Sequence, residues 1–216
     1  MCEIRLLFPV HMRTFFQDDT WQSGLEEIRV RVGQPIEFCY GSDNCYLTGK
    51  EKEQLFCSEK DYRRWEKDLY HATEADLREM LNYISNYSLY AYKEEIKQGY
   101  ITIEGGHRVG VAGQTVLVDG KIAGISPIMF LNIRIAHEKC GCARKILPLI
   151  RQRDSIYNTL ILSMPGAGKT TLLRDSIRAL SNGEAYGIRL KVCVVDERSE
   201  IAASFHGVPQ NDMGPR

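Results

Sequence analysis

The apolar positions near the start of the chain follow the two-residue period of a β-strand. Ile28, Val30 and Val32 alternate with arginines and precede a Gly-Gln-Pro turn, which predicts a half-buried strand followed by a hairpin turn. Residues 43–60 are polar and have no sustained period. We therefore expect further short strands or loop there.

The period then changes to that of a helix. Behind Thr73, apolar residues fall on one helical stripe, and the Thr-x-x-Asp start resembles a capping box; the stripe consists of Leu77, Met80, Leu81 and Ile84. A second helix is expected to begin after Ser88 as its N-cap and to end at Gly99.

A small antiparallel sheet is predicted next. Residues 100–126 alternate apolar and polar positions, and the Asp119-Gly120 step favours a two-residue hairpin turn. Residues 128–136 are expected to form a further strand, and residues 142–150 a short helix. We assign these elements to an N-terminal α+β domain, residues 1–150.

After residue 150 the pattern becomes that of an α/β domain, residues 151–216. Residues 159–163 form a continuous apolar run that suits a buried parallel strand, and residues 170–183 have a helical pattern that ends at a glycine. Residues 189–197 read as a second buried strand. Together they predict a parallel sheet with a ligand site at the carboxyl ends of its strands.

A glycine-rich segment joins the first of these strands to the helix. It is close to the phosphate-loop pattern G-x-x-x-x-G-K-[ST], with Ser163 in place of the first glycine. Lys169 is placed to reach the β and γ phosphates of a nucleotide, and the Thr170 hydroxyl to coordinate Mg²⁺. The predicted nucleotide-binding residues are Ser163, Pro165, Gly166, Ala167, Gly168, Lys169, Thr170 and Thr171.

Two acids follow the second predicted strand. Asp196 would hold Mg²⁺ through bound water, and Glu197 would polarise the attacking water. The alternative interpretation is a solvated strand end. With Lys169 neutralising phosphate charge, these residues form the predicted catalytic set for Mg²⁺-dependent ATP hydrolysis.

Composition narrows the class of protein. Lys plus Arg and Asp plus Glu both number 28, which disfavours nucleic-acid binding. No export signal or apolar membrane span is visible, so a cytosolic protein is expected. The seven cysteines are an odd number and predict reduced thiols; Cys140 and Cys142 do not match a zinc-site spacing together with the other cysteines.

Several segments between Glu26 and Arg216 resemble the stage III sporulation protein AA family, a branch of the secretion-type ATPases. They are SMPGAGKTTLLRD, VVDERSEIA, GVPQNDMGPR, GGHRVGVAGQ and LNIRIA. The resemblance implies an N-terminal domain in front of a RecA-like P-loop ATPase core that binds ATP and Mg²⁺.

The same resemblance implies a hexameric ring on the cytoplasmic side of a membrane channel complex, at the boundary between mother cell and forespore. The channel proteins of that sporulation complex would be its partners. The resemblance also places Asp196, Glu197 and Glu200 near the γ phosphate, and it marks Arg108 and Arg134 as family arginines of the N-terminal domain. A salt bridge within the sheet is an equally good interpretation of these arginines.

The family pattern continues beyond Arg216 with a strand that ends in a metal-binding acid, so we expect an incomplete, C-terminally truncated ATPase core. Two alternatives stay open. One is a P-loop kinase of a small molecule, and the other is a scaffold that binds nucleotide without hydrolysing it.

Overall fold

The computed structural model divides the chain into two units, Met1–Ala136 and His137–Arg216. The residues it describes are 4–16, 18–49, 56–153, 155–184, 187, 189–197 and 199–215. The predicted domain boundary at residue 150 stays a prediction.

Unit 1 is built on a seven-stranded sheet in the order β4-β3-β2-β1-β7-β6-β5, with every neighbouring pair antiparallel. Its strands are β1 Glu27–Arg31, β2 Glu37–Tyr40, β3 Asp43–Leu47, β4 Phe56–Ser58, β5 Tyr100–Thr102, β6 Arg108–Val118 and β7 Lys121–Arg134. Its α-helices are α1 Tyr62–Trp65, α2 Glu74–Ile84 and α3 Lys93–Lys97. The mixed α/β class with a large antiparallel sheet agrees with the α+β pattern predicted for this part of the chain.

The alternation in β1 confirms the first predicted strand. Ile28 and Val30 are fully buried, whereas Arg29 is half-buried on the opposite face of the sheet. Ile28 lies opposite Phe38 of β2, so the predicted hairpin is confirmed too. Successive side chains of a strand point to opposite faces, which is why β1 has one apolar and one polar side.

The Asp119-Gly120 turn also forms as predicted. Both residues have positive φ, 51° and 74°, as a tight hairpin turn between right-twisted strands requires. The strand expected over residues 128–136 is wrong as a separate element, because β7 runs without a break from Lys121 to Arg134. β-bulges absorb the irregular register between β6 and β7, so the ladder continues through the glycines.

Helix α2 begins at the predicted capping box. The Asp76 amide donates to Thr73 Oγ1 at 3.1 Å, and the Thr73 amide donates to Asp76 Oδ2 at 2.8 Å. The second predicted helix is split into a 3-10 turn, Leu89–Tyr92, and α3. Ser88 is the N-cap residue of the 3-10 turn, as predicted, although its side chain makes no capping bond, and Gly99 follows α3 with φ 84°.

An aromatic cluster fills the core of unit 1. Phe8, Phe16 and Phe38 are fully buried and Trp21 is nearly so. The Phe16 and Trp21 ring centroids lie 4.5 Å apart, and those of Phe8 and Phe16 4.8 Å apart. The cluster joins the N-terminal 3-10 turns to β2 of the sheet.

Unit 2 is organised around helix α5, Lys169–Asn182. Ala179 and Leu180 of α5 pack on Ala143 and Leu147. The helix ends at Gly183, in the left-handed conformation with φ 75°, as predicted. The other regular elements described in this unit are α4 Leu147–Ile150, β8 Arg151–Gln152 and β9 Ser155–Ile156.

The two predicted parallel strands are not formed in the described part of unit 2. Residues 159–163 and 189–197 have no strand pairing there, and Leu160 and Leu162 are each 86% exposed. A short apolar run shows that a segment can be buried, but a strand also needs hydrogen-bonded neighbours. The described neighbours of these residues do not provide them.

Replacing Phe38 with alanine tests the aromatic core. Phe38 is 0% exposed, so Phe38→Ala should reduce the free energy of unfolding by about 3–5 kcal/mol through lost burial and a cavity. Urea unfolding followed by circular dichroism measures the change. The control is Tyr90→Ala: Tyr90 is 84% exposed, so its removal should cost less than about 1 kcal/mol. Equal losses for the two variants would contradict this description of the core.

Candidate functional site

The glycines of the 163–169 loop are required by the backbone conformation. Gly166 and Gly168 have φ of 76° and 86°, in a region that side chains with a Cβ seldom adopt. A Cβ built on either glycine meets no atom within 4 Å, so space in this structure is not the restriction. The two glycines turn the chain into the first residue of α5.

The N-terminus of α5 is suited to an anion. Gly168 is the N-cap residue and supplies no capping side chain, and the first turn contains no acidic residue. The first N–H groups of any helix lack acceptors within the helix, and its dipole places partial positive charge there. A phosphate oxygen at this end would receive hydrogen bonds from the backbone.

Lys169 lies over the carbonyl groups of the same loop. Its Nζ donates to the carbonyl oxygens of Ser163 and Met164, at 3.0 Å each. Carbonyl oxygens are weak partners for an ammonium group compared with a phosphate, so a bound nucleotide could recruit this group. Thr170 and Thr171 follow directly and are half-buried.

Asp196 has a structural contact that sequence reasoning missed. Its carboxylate accepts hydrogen bonds from the backbone amides of Glu200, Ile201 and Ala202, each at 2.9 Å. It therefore shapes the turn that follows it, whereas Glu197 is exposed. The sequence signal for this contact is only an aspartate shortly before a turn, which is too common to predict these hydrogen bonds. The predicted metal and catalytic roles of Asp196 and Glu197 stay predictions.

Arg174 joins α5 to that turn. Its Nε donates to the Ile201 carbonyl oxygen at 2.9 Å, and its Nη2 to that of Glu200 at 2.7 Å. The structure thus brings the helix of the glycine loop and the segment that follows the predicted acids into contact. Among the described residues it records no direct hydrogen bond between Lys169 and Asp196. Arg174 was not singled out from the sequence.

A buried ion pair between Asp175 and Arg178 of α5 holds the segment around Ala143. Asp175 is 3% exposed and accepts a hydrogen bond from the Ala143 amide at 2.7 Å. Arg178 donates to Asp175 at 2.8 Å and also binds Glu184. Burial alone would raise the pKa of Asp175, but the hydrogen bonds from Ala143 and Arg178 outweigh it and lower the pKa to about 2.

The C-x-C thiols lie beside the same helix. Cys142 Sγ donates to the Thr171 carbonyl oxygen at 3.7 Å, and burial raises the pKa of this thiol. A protonated thiol is a poor metal ligand. In the part of the chain that the structure describes, no group of three or more His, Cys, Asp or Glu side chains is placed to hold a metal ion.

An open cleft of about 610 Å³ is lined by both segments that were predicted to be strands. It is lined by parts of residues 155–161 and 190–193 and by one side of α5, including Leu173, Ile177 and Leu180. The lining is largely apolar. Val195, next to the second segment, is 90% exposed.

The two arginines singled out from the sequence lie in unit 1, on the polar face of the sheet. The Arg108 guanidinium carbon lies 3.9 Å from the centre of the Tyr100 ring. Arg134 Nε lies 3.5 Å from a carboxylate oxygen of Glu27. Arg134 thus has the salt bridge within the sheet that was one of the two interpretations.

The sequence profile described as "Sporulation stage III, protein AA" matches residues 2–216. The chain belongs to the stage III sporulation protein AA family. It is 38% identical over 218 residues to the curated protein "Stage III sporulation protein AA" of Bacillus subtilis (strain 168), a match that covers 100% of this chain. The chain spans 64% of the length of that relative. No solved structure matches it.

This member of the stage III sporulation protein AA family has no helix, among the residues described, that is long and apolar enough to cross a membrane.

The Asp175 contacts predict a specific acid sensitivity. Its pKa in the folded chain, about 2, is below the ordinary value of 3.8, so the stabilisation is present above that value and is lost as the pH falls towards 2. This loss should amount to about 2 kcal/mol, because one pKa unit corresponds to about 1.4 kcal/mol. Urea unfolding at several pH values measures it, and the Asp175→Asn variant should lack this contribution. Parallel pH profiles for the two proteins would contradict the assignment.

Proposed function

We propose that the protein binds ATP with Mg²⁺ and hydrolyses it. The observation that carries the proposal is the Lys169 ammonium, which lies over a loop with two left-handed glycines at the uncapped start of a helix. These features supply a cation, backbone amides and a helix dipole at one place, which is what a chain of phosphates needs.

Each nucleotide-binding residue predicted from the sequence has a role in this proposal. Gly166, Ala167 and Gly168 offer backbone amides to the phosphate oxygens, and Pro165 and Ser163 form the entrance of the loop. Lys169 leaves the carbonyl oxygens and neutralises the β and γ phosphates. Thr171 is a further phosphate contact.

The donor atoms of Thr170 and Asp196 are oxygens, the kind of ligand that magnesium prefers. Thr170 offers a hydroxyl at the start of α5, and Asp196 offers a carboxylate whose oxygens retain lone pairs beyond the amide bonds they accept. The ion would supply charge neutralisation of the phosphates. Asp196 would contact it through water, because its carboxylate is already held by the backbone.

Glu197 is the proposed water-orienting residue. It follows Asp196 directly, and its exposed position leaves it accessible to solvent. A carboxylate next to the γ phosphate can accept a proton from the attacking water or align it for in-line attack. Glu200, on the turn that Asp196 shapes, is the second acidic candidate.

The wider assembly is also a proposal. We include a RecA-like core in which residues 159–163 and 189–197 join a parallel sheet, a hexameric ring, and action with membrane channel proteins on the cytoplasmic side of the forespore boundary. Support comes from the exposed apolar positions of both segments and from the sporulation name of the Bacillus subtilis relative, which is longer than the region matched. Nucleic acid is not among the proposed partners, because the chain has no net charge.

Lys169→Ala tests the nucleotide site. Loss of the ammonium should weaken binding of a fluorescent ATP analogue at least about a hundredfold, because charge-assisted contacts with phosphate dominate such sites. Titration with the analogue and Mg²⁺ measures the affinity. Lys145→Ala removes an exposed lysine of the same unit and should bind like the unmodified protein. Unchanged affinity in Lys169→Ala would show that this loop is not the site.

Glu197→Gln tests hydrolysis separately from binding. The amide keeps the shape of the side chain but is a poor base, so the rate of phosphate release should fall about a hundredfold or more with little change in ATP affinity. Phosphate release and analogue binding are measured on the same protein. A full rate in this variant would exclude Glu197 from the chemistry. ATP binding without any turnover in the unmodified protein would favour the nucleotide-binding scaffold.

A further inference from the structure

The Asp196 carboxylate holds a turn formed by residues 196–197 and 199–202. Both oxygens of Asp196 are used, since Oδ1 accepts from the Glu200 amide and Oδ2 from the amides of Ile201 and Ala202. We call these residues the acidic turn; residue 198 is outside the described part. The acidic turn carries Glu197 and Glu200, so the position of its backbone determines where these two carboxylates lie.

Arg174 holds that backbone against α5. The guanidinium donates to two successive carbonyl oxygens, of Glu200 and Ile201, at 2.7 and 2.9 Å. A planar guanidinium presents several donors in a fixed geometry, so it can bind two acceptors at once, whereas the ammonium of lysine is a compact point charge. The acceptors belong to the main chain, so the contact fixes the position of the turn itself.

The place of Arg174 on the helix links the turn to the glycine loop. It follows Lys169 by five positions, which is about 7.5 Å along a helix axis. Helix α5 is continuous across both residues. One continuous helix therefore connects the glycine loop to the acidic turn, and a displacement of its first turn would reach the acidic turn through Arg174.

A second contact holds the turn from its other side. Asn211 is 8% exposed, and its Nδ2 donates to the Ile201 carbonyl oxygen at 2.9 Å. Ile201 thus receives hydrogen bonds from α5 and from the C-terminal segment. Because the Asn211 bond does not involve Arg174, we expect it to remain when Arg174 is changed, while the connection to α5 is lost.

We propose that Arg174 is a positioning residue that couples the acidic turn to the phosphate-binding end of α5. The inference rests on the proposed function, because it assigns to Arg174 the placement of Glu197 and Glu200 relative to a nucleotide held by the loop. Arg174 itself touches neither nucleotide nor metal in this scheme.

Kinetics distinguish this role from a purely structural one. Arg174→Gln should lower kcat for ATP hydrolysis about tenfold and leave the affinity for the ATP analogue within about threefold. Arg174→Lys keeps the charge but not the two-point geometry, so it should recover only part of the rate. The control is Arg189→Gln, at an exposed arginine for which the structure records no polar partner among the described residues. Its kinetics should match those of the unmodified protein.

Hydrogen exchange tests the coupling without turnover. In the unmodified full-length protein, a slowly hydrolysed ATP analogue with Mg²⁺ should protect the amides of residues 163–171 and also those of residues 199–205. In Arg174→Gln the first segment should stay protected, and the second should lose most of its nucleotide-dependent protection. Thermal unfolding identifies a variant that fails to fold, in which case Arg174→Lys carries the comparison.

Two results separate the possible failures. If nucleotide protects both segments equally in Arg174→Gln and in the unmodified protein, the coupling is wrong although the nucleotide site is right. If nucleotide does not protect residues 163–171 even in the unmodified protein, the proposed function fails and the coupling fails with it. Equal kcat values for Arg174→Gln and the unmodified protein would also overturn the coupling.

Discussion

Unit 2 depends on polar side chains that α5 directs at the backbone of its neighbours. Asp175 accepts a hydrogen bond from the Ala143 amide, and Arg174 donates hydrogen bonds to the carbonyl oxygens of Glu200 and Ile201. Helices and strands are few in the described part of this unit. These side-chain bonds therefore connect segments that strand pairing would connect in a sheet. Buried polar groups without partners are costly, which makes each contact specific for one arrangement of the segments.

The same helix carries the start of the proposed phosphate site. Its first residue, Lys169, follows a glycine with φ 86°, and its middle turns hold the segments on either side. The proposed binding at the helix start and the packing along its length therefore involve one continuous helix. This arrangement explains why residues that look purely structural, Arg174 above all, are expected to affect chemistry at the helix start.

Unit 1 shows how much a simple period can determine. The alternation in β1, the capping box at Thr73 and the Asp119-Gly120 turn were all predicted from residues close together in the chain. Each depends on local chemistry, which is side-chain alternation, a reciprocal pair of hydrogen bonds, or tolerance of positive φ. The continuous strand β7 was not predicted, because bulges depend on the partner strand and leave only a weak local signal.

The candidate site also has one part that the sequence predicted and one part that it did not. The loop with Gly166, Gly168 and Lys169 could be located from its spacing alone, since the phosphate-loop pattern is local. The contacts of Arg174 and Asp175 join residues 26 to 32 positions apart, and no local pattern indicates them.

The sequence by itself determined the family, the strand and helix periods of unit 1, the ends of α5 and the glycine loop, because each of these is encoded within a few neighbouring residues. Only the tertiary structure decided whether the apolar runs at 159–163 and 189–197 are strands, and in the described part they are not. It also showed that the buried carboxylate of Asp175 accepts a hydrogen bond from the Ala143 amide, 32 positions away in the chain. The physical reason is that a strand and a buried carboxylate are completed by partners distant in the chain, and hydrogen bonds to such partners exist only once the chain has folded.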